Sequence, residues 1–378
     1  MLVCKRVFIF TTLAATALVA SVSAFSSVSS LTSNQQQQQQ QQRRHYASRH
    51  LSPLAATAAA VPGESCTGEK IAVVGSTGYI GKAVVRESVR RGYPTTAVMR
   101  DITKKGQAEE KKFQGAQLKQ FDVQDREACL SGKLFPKDSV DVVVCCLASR
   151  TGTKKDSYAV VYQASLNCAE AAKAAGARRF ILLSAICVKS AERGDPYALQ
   201  FQYAKMELEK KLAEMADSSF DYVSVRPTAF FKSVSGQVEV VDGGGPFVYF
   251  DLGNDRTATC NPISEPDLAA ALIDQVADET HKNKFWNLGG PDDGMSMKAQ
   301  GEMIHDVLGK EGKPKLLGVP IGLFDFIING LQWAADTFNS EKLEDAAELG
   351  RIGKYYAIED MLTVDPTEKY GRTTLRQP

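Results

Sequence analysis

What this chain of 378 residues lacks is informative. It has no charge excess, with 45 basic residues against 44 acidic ones, which argues against a nucleic-acid binder or an acidic-lipid binder. It has no C-x-x-C pair among its eight cysteines (4, 66, 129, 145, 146, 168, 187 and 260), so neither a zinc knuckle nor a redox dithiol is indicated. Cys145 and Cys146 are adjacent inside a strand-like run and Cys187 follows another, which suits buried, reduced thiols better than a disulfide framework. It has no internal repeat. Its longest N-terminal apolar run, Val7 to Val22, is 16 residues rich in Ala, Ser and Thr, short for a span of about 20.

Acid is also missing from the whole of residues 1–63, which carry five basic side chains: Lys5, Arg6, Arg43, Arg44 and Arg49. Removing these five leaves 40 basic against 44 acidic residues in 64–378, a mildly acidic mature part behind a basic leader. Lys5 and Arg6, the apolar run, then Val22 and Ala24 at −3 and −1 of a cleavage site have the layout of a signal peptide over 1–24. Phe25, a Ser/Thr-rich stretch, eight glutamines (Gln35 to Gln42), the arginines and an Ala-rich run form a transit-like, low-complexity segment over 25–63. A signal peptide followed by such a segment resembles plastid targeting in algae with complex plastids, and a plastid location is expected.

From Glu69 strands alternate with helices, the pattern of a parallel sheet covered on both faces. Strands are expected at 71–74, 95–99, 116–121, 140–147, 180–183 and 222–225, with helices near 79–91, 156–175 and 199–216. After Arg226 the rhythm loosens through a Gly/Pro-rich stretch, then resumes as a helix over 266–279, a strand end at 286–290 and a helix over 297–308. Residues 316–338, with Leu323, Phe324, Phe326, Ile327, Ile328, Leu331 and Trp333, are apolar nearly all round a helix. They are expected to fill core or line a pocket, because Asp325 interrupts them and no basic fringe accompanies them. The expected fold is an α/β, Rossmann-type doubly wound parallel sheet over 64–226, with a smaller C-terminal substrate-binding part over 227–378.

Gly75, Ser76, Thr77, Gly78, Tyr79, Ile80 and Gly81 stand between the first strand and the first helix. Glycine there lets backbone approach a pyrophosphate and lets helix and strand pack closely, while helix-start amides face the phosphates. The G-x-x-G-x-x-G spacing resembles the extended and atypical short-chain dehydrogenases. Arg100, ending the second strand, suits a 2′-phosphate and selects NADPH, although Asp101 follows it. Asp122 and Val123 resemble the pair that holds adenine, and Ala148 and Ser149 are expected along the cofactor's other side.

In ordinary short-chain dehydrogenases a Ser after the fifth strand joins a Tyr-x-x-x-Lys pair, whose Tyr protonates a carbonyl oxygen. Ser184 and Lys205 stand where that Ser and Lys belong, but Phe201 occupies the Tyr position. Tyr203 lies two residues before Lys205, about 200° round the helix. The carbonyl acid is missing, so either the protein is no enzyme or its substrate is not a carbonyl.

Val73-Val-Gly-Ser-Thr-Gly-Tyr-Ile-Gly81, Cys146-Leu-Ala-Ser-Arg150, Leu182-Leu-Ser-Ala-Ile-Cys187, Phe201-Gln-Tyr-Ala-Lys205, Arg226-Pro-Thr-Ala-Phe-Phe-Lys-Ser233, Pro262-Ile-Ser264 and Gly353-Lys-Tyr-Tyr356 together resemble the plant-type divinyl chlorophyllide 8-vinyl-reductases. The resemblance spans roughly residues 70–375. It implies an oxidoreductase of chlorophyll biosynthesis acting on a CH–CH group, in which NADPH reduces the 8-vinyl group of divinyl chlorophyllide or protochlorophyllide to ethyl. That family too has Phe at the Tyr position. Hydride addition to a conjugated vinyl delocalises charge into the ring, forms no oxyanion and needs no Tyr acid for one. Ser184, Lys205 and Tyr203 are the catalytic candidates, and the proton donor stays open among Lys205, Tyr203, Tyr162 and water. Arg226, Phe230, Phe231 and Lys232 are expected to frame the flat ring and its propionate, unless Arg226 shapes the strand exit and the two Phe fill core. The magnesium belongs to the substrate, and no protein metal site is expected. A thylakoid or envelope contact stays open. The rival readings are a non-catalytic NADP(H)-binding regulator or plastid assembly factor, and a reductase of phenolic substrates.

Overall fold

The computed structural model describes residues 68–101, 113–254 and 256–376. Both leader segments lie outside the described residues. Seven strands build the main sheet. β1 (Ile71–Val74), β2 (Thr95–Met99), β3 (Gln117–Gln120), β4 (Val142–Cys145), β5 (Arg179–Leu183) and β6 (Asp221–Pro227) come first. β7 (Phe247–Asp251) and β8 (Thr259–Cys260) leave the sheet, and β9 (Lys284–Leu288) rejoins it. The order is β3-β2-β1-β4-β5-β6-β9, every neighbour pairing parallel. β1, β4 and β5 are buried at every residue, as continuous apolar runs in a sheet covered on both faces must be.

The first helix, α1 (Tyr79–Arg90), turns Ile80, Val84 and Ser88 inward, one residue per turn along a single face. After a short helical stretch over 126–133, α2 over 154–174 is wound as a π-type helix across Ser157–Ala164 before an α-helical end at Ser165–Ala174. α3 (Val188–Arg193) is a short helix absent from the sequence reading. α4 (Gln200–Met215) buries Leu208 and Leu212 together with three polar side chains, Gln202, Lys205 and Glu209. Buried polar groups on one helical face require partners, and here they mark the site.

The C-terminal part belongs to the same compact unit, Thr67–Pro378, since β9 lies in register beside β6. α5 (Glu265–Asp274) begins at Ser264, whose Oγ accepts from the Asp267 amide at 3.2 Å. β10 (Met295–Ser296) pairs with β8, α6 (Met297–Val307) follows, and β11 (Leu316–Pro320) pairs with β7. α7 (Gly322–Phe338) and α8 (Glu341–Ile358) close the chain as neighbouring helices.

The expectation for 316–338 is met on one face only. Phe324 and Ile328 are buried, but Phe326, Trp333 and Phe338 are 73%, 67% and 69% exposed. The segment divides into a strand and an amphipathic helix, so one side packs and the other faces out; the Leu323 side chain lies outside the described residues. No described helix is long and apolar enough to cross a membrane. Among the described residues five cysteines are buried, Cys260 is half-buried, and all six are free thiols.

Candidate active site

The chemistry-bearing residues gather at the carboxyl ends of the strands, where open parallel sheets bind ligands. β1 is flanked by β2 and β4, so chain order reverses there and a crevice opens. Gly75 lines it with φ +75°, and a Cβ on it would stand 2.7 Å from the Cys146 carbonyl oxygen. A Cβ on Gly81 would stand 2.2 Å from the Gly75 oxygen. Only glycine fits either position without backbone movement. Gly78 begins α1 with no side-chain cap, which leaves the first helical amides facing outward for an anion. Ser76, fully buried, donates instead to the Val98 carbonyl at 2.8 Å and ties the loop to β2. This cradle fits a dinucleotide pyrophosphate.

Arg100 is exposed directly after β2, where a 2′-phosphate would arrive. Asp122 is exposed and Val123 buried; the Val123 carbonyl accepts from Asn167 Nδ2 at 3.0 Å, fixing the turn that flanks the adenine position. Ala148 and Ser149 follow β4. Ser149 Oγ donates to Asp156 Oδ2 at 2.6 Å, and the Arg150 and Thr151 amides reach the same oxygen at 2.8 and 3.2 Å. Burial opposes ionisation of Asp156, but these bonds outweigh it and hold the carboxyl below its usual range. Sequence reasoning missed Asp156, which shapes this loop.

Lys205 reaches the end of β5, at the residue before Ser184. Lys205 Nζ donates to the Leu183 carbonyl at 2.9 Å, and Ser184, 3% exposed, has an Oγ without a hydrogen-bond partner. Burial pushes the Lys205 ammonium below its ordinary pKa, against the raising influence of Cys187 and Glu209. Phe201 packs in the apolar cluster of Ile186, Cys187, Leu199, Tyr355 and Tyr356.

Two expectations are corrected. Tyr203 does not join Ser184 and Lys205: it acts electrostatically on Tyr158, whose hydroxyl donates to Glu207 at 2.9 Å on the other side of α4. The 200° offset explains this. Arg226 is not offered to a ligand: it is 4% exposed, and its guanidinium is bound by Glu209 and Glu192 and lies over the Phe285 ring. Its charge is spent inside the protein. Tyr162 is likewise turned toward Tyr158 and Lys211.

Phe230 and Lys232 do reach the cofactor cradle. The Phe230 ring centroid lies 6.3 Å from that of Tyr79, and Lys232 Nζ stands 5.1 Å over the same ring. Burial and Glu265 raise the Tyr79 phenol well above its ordinary pKa, so it stays protonated. Phe231 is half-buried, its amide bonded to the Ile263 carbonyl at 3.3 Å. Among the described residues no cluster of His, Cys, Asp and Glu could hold a metal ion. A polar hollow beside α8, lined by Lys154, Tyr158, Gln332 and Arg351 among others, includes none of the expected site residues.

Sheet order and glycine cradle define a nicotinamide-dinucleotide-binding protein with the short-chain dehydrogenase fold. A family model described as NAD(P)H-binding matches residues 75–279. Solved epimerases share the fold: UDP-glucose 4-epimerase of Thermus thermophilus with NAD (TM-score 0.52, 19% identity, 66% of this chain and 86% of that one), and UDP-Glc/GlcNAc 4-epimerase of Campylobacter jejuni (TM-score 0.54, 17%, 67% and 87%). Among curated relatives, divinyl chlorophyllide a 8-vinyl-reductase, chloroplastic, of Arabidopsis thaliana is 44% identical over 322 residues, 81% of this chain and 74% of the relative. Its Zea mays counterpart is 42% identical over 349 residues, 88% and 84%. The chain belongs to the divinyl chlorophyllide a 8-vinyl-reductase family. An isoflavone reductase homolog of Nicotiana tabacum is more distant, 28% identical over 64% of this chain and 74% of the relative.

Proposed function

We propose that this chain reduces the 8-vinyl group of divinyl chlorophyllide a, or of the protochlorophyllide counterpart, to ethyl with NADPH. The observation that carries the reading is Phe201. The position that would protonate a carbonyl oxygen holds a ring with no hydroxyl, while Lys205 and Ser184 remain in place. That pairing suits a substrate that forms no oxyanion, and family membership names one. Bound in the cradle, NADPH would supply the hydride. Gly75, Gly78 and Gly81 would admit its pyrophosphate, with Arg100 at the 2′-phosphate and Lys205 at the nicotinamide ribose. Phe230, Phe231 and Lys232 would border the flat macrocycle, with residues 227–378 as the substrate-binding part.

The curated relatives are chloroplastic, and the same location is read for this chain, with 1–24 as signal peptide and 25–63 as transit segment. The outward Phe326, Trp333 and Phe338 support a peripheral contact with a thylakoid or envelope surface. Incubation of the chain with NADPH and divinyl chlorophyllide a tests the reaction. A product heavier by two hydrogens, formed with stoichiometric NADPH loss, is expected. NADPH binding without any pigment turnover would favour a regulator instead.

A further inference from the structure

We propose that Tyr356, carried by the C-terminal helix α8, is the proton donor of vinyl reduction, a role that rests on the vinyl-reductase reading. Helix α8 lies across the carboxyl edge of the sheet. Glu348 Oε1 accepts from the Gln200 amide at 3.5 Å, at the start of α4. The Ile352 side chain fills the space beside Gly152, where a Cβ would meet it at 2.3 Å. Tyr355 meets Ser190 of α3, hydroxyl to hydroxyl at 2.7 Å. Helix α8 therefore touches the loop after β4, α3 and the start of α4, the segments that border Ser184 and Lys205.

Tyr356 packs in the cluster that holds Phe201, the position that lacks its phenol. The Tyr356 hydroxyl lies beside the Cys187 thiol, and that thiol in turn acts on Lys205. A phenol from a distant stretch of chain thus packs against the same cluster as the ring that has none. Nearby, the Ser184 hydroxyl is buried at the end of β5, one residue from the Leu183 carbonyl that Lys205 binds. Tyr203 and Tyr162 face the other side of α4, and the Cys187 thiol is closed off at 3% exposure. Burial, then Cys187, raises the Tyr356 phenol well above its ordinary value, which keeps it protonated and makes it a weak acid, one that gives its proton only to a strongly basic carbanion such as the hydride-reduced vinyl group.

The step balances. With bound NADPH supplying a hydride to one vinyl carbon, the C=C π pair would move into the macrocycle, and Tyr356 would give its phenol proton to the second carbon. An ethyl group and NADP⁺ result, and the phenolate recovers a proton from water.

The test compares the full chain with Tyr356→Phe and, as a control on the other face of α4, Tyr158→Phe. NADPH and pigment binding, followed by fluorescence, should stay within about threefold in all three. Single-turnover vinyl reduction should fall about 10²-fold or more in Tyr356→Phe alone, in the range for a lost proton donor. The solvent deuterium isotope effect should grow as protonation becomes limiting. Wild-type turnover with Tyr356→Phe equally fast overturns the donor assignment and leaves the vinyl-reductase reading standing. Absence of wild-type turnover overturns both. Should Tyr356→Phe lose NADPH binding, 3-fluorotyrosine at 356 decides. A more acidic phenol of nearly the same shape should move the alkaline limb of the rate–pH profile downward, and an unmoved limb overturns the proposal.

Discussion

Arg226 is held by Glu209, with Nε 3.0 Å from Oε1, and both side chains are almost wholly shielded from water. Glu192 grips the same guanidinium from α3 at 2.6 Å. An arginine leaving a sheet at its ligand edge reads in sequence as a carboxylate receptor. In the fold it is instead a clamp joining β6, α3 and α4, the elements that carry the site.

Removing that clamp should therefore cost stability before it costs pigment affinity. Arg226→Ala strands Glu209 as a buried, unpaired carboxylate, a loss of about 3–5 kcal/mol. Urea denaturation should show that drop, while pigment affinity per folded molecule stays near wild type. A variant of intact stability that binds pigment poorly would restore Arg226 as a propionate ligand.

Arg100 is exposed at the end of β2, free of the burial that occupies Arg226. A charge-assisted pair with a 2′-phosphate contributes about 1.5–3 kcal/mol. Arg100→Ala should weaken NADPH binding roughly tenfold to a hundredfold, with little change for NADH. Equal losses for both cofactors in a titration would remove the selector role.

The elements legible in sequence are those written by local pattern. The first strand is read at Ile71–Val74 and found there, and α1 ends at Arg90, one residue short of the expected end. The fifth and sixth strands gain only terminal residues, such as Arg179 and Pro227. Where pairing is long-range, local pattern fails. β11 owes its existence to β7, many residues upstream, and β8 and β10 are two residues each, too short to show alternation. The site divides the same way. The glycine cradle and Lys205 follow from spacing along one element. Arg226's partners, the aim of Tyr203 and the arrival of Tyr356 at the Phe201 cluster depend on which helices meet, which no single window contains.

Lys205 predicts a pH signature. Its pKa is lowered by burial, so the folded chain holds this proton less tightly than the unfolded chain does. Between the lowered folded value and the ordinary 10.5, the unfolded state binds more protons, and stability attributable to Lys205 rises with pH. Lys205→Met keeps the stem and removes the titration. Relative to that variant, the wild type should gain stability as pH rises through the window and lose it as pH falls. Parallel denaturation curves from pH 7 to 10 would refute the burial argument, and the same variant should lose most vinyl reduction.

Phe201 carries the sharpest consequence. Its ring packs against the cluster of Ile186, Cys187, Leu199, Tyr355 and Met361, so a hydroxyl added there enters a mainly apolar setting. Phe201→Tyr restores the Tyr-x-x-x-Lys spacing to Lys205, which in a carbonyl reductase would restore the acid. A conjugated vinyl gives that hydroxyl no oxyanion to stabilise, so the added group contributes nothing to the reaction. Vinyl reduction by Phe201→Tyr should therefore be equal to wild type or lower, and Lys205→Ala should lose far more through the ribose contact. A regulator without catalysis shows no vinyl turnover in any of the three proteins. A carbonyl reductase damaged at one position gains ketone reduction in Phe201→Tyr. Single-turnover assays against divinyl chlorophyllide a and a ketone panel separate these outcomes. A large ketone gain with no vinyl turnover would falsify the assignment of this site to a carbon–carbon double bond.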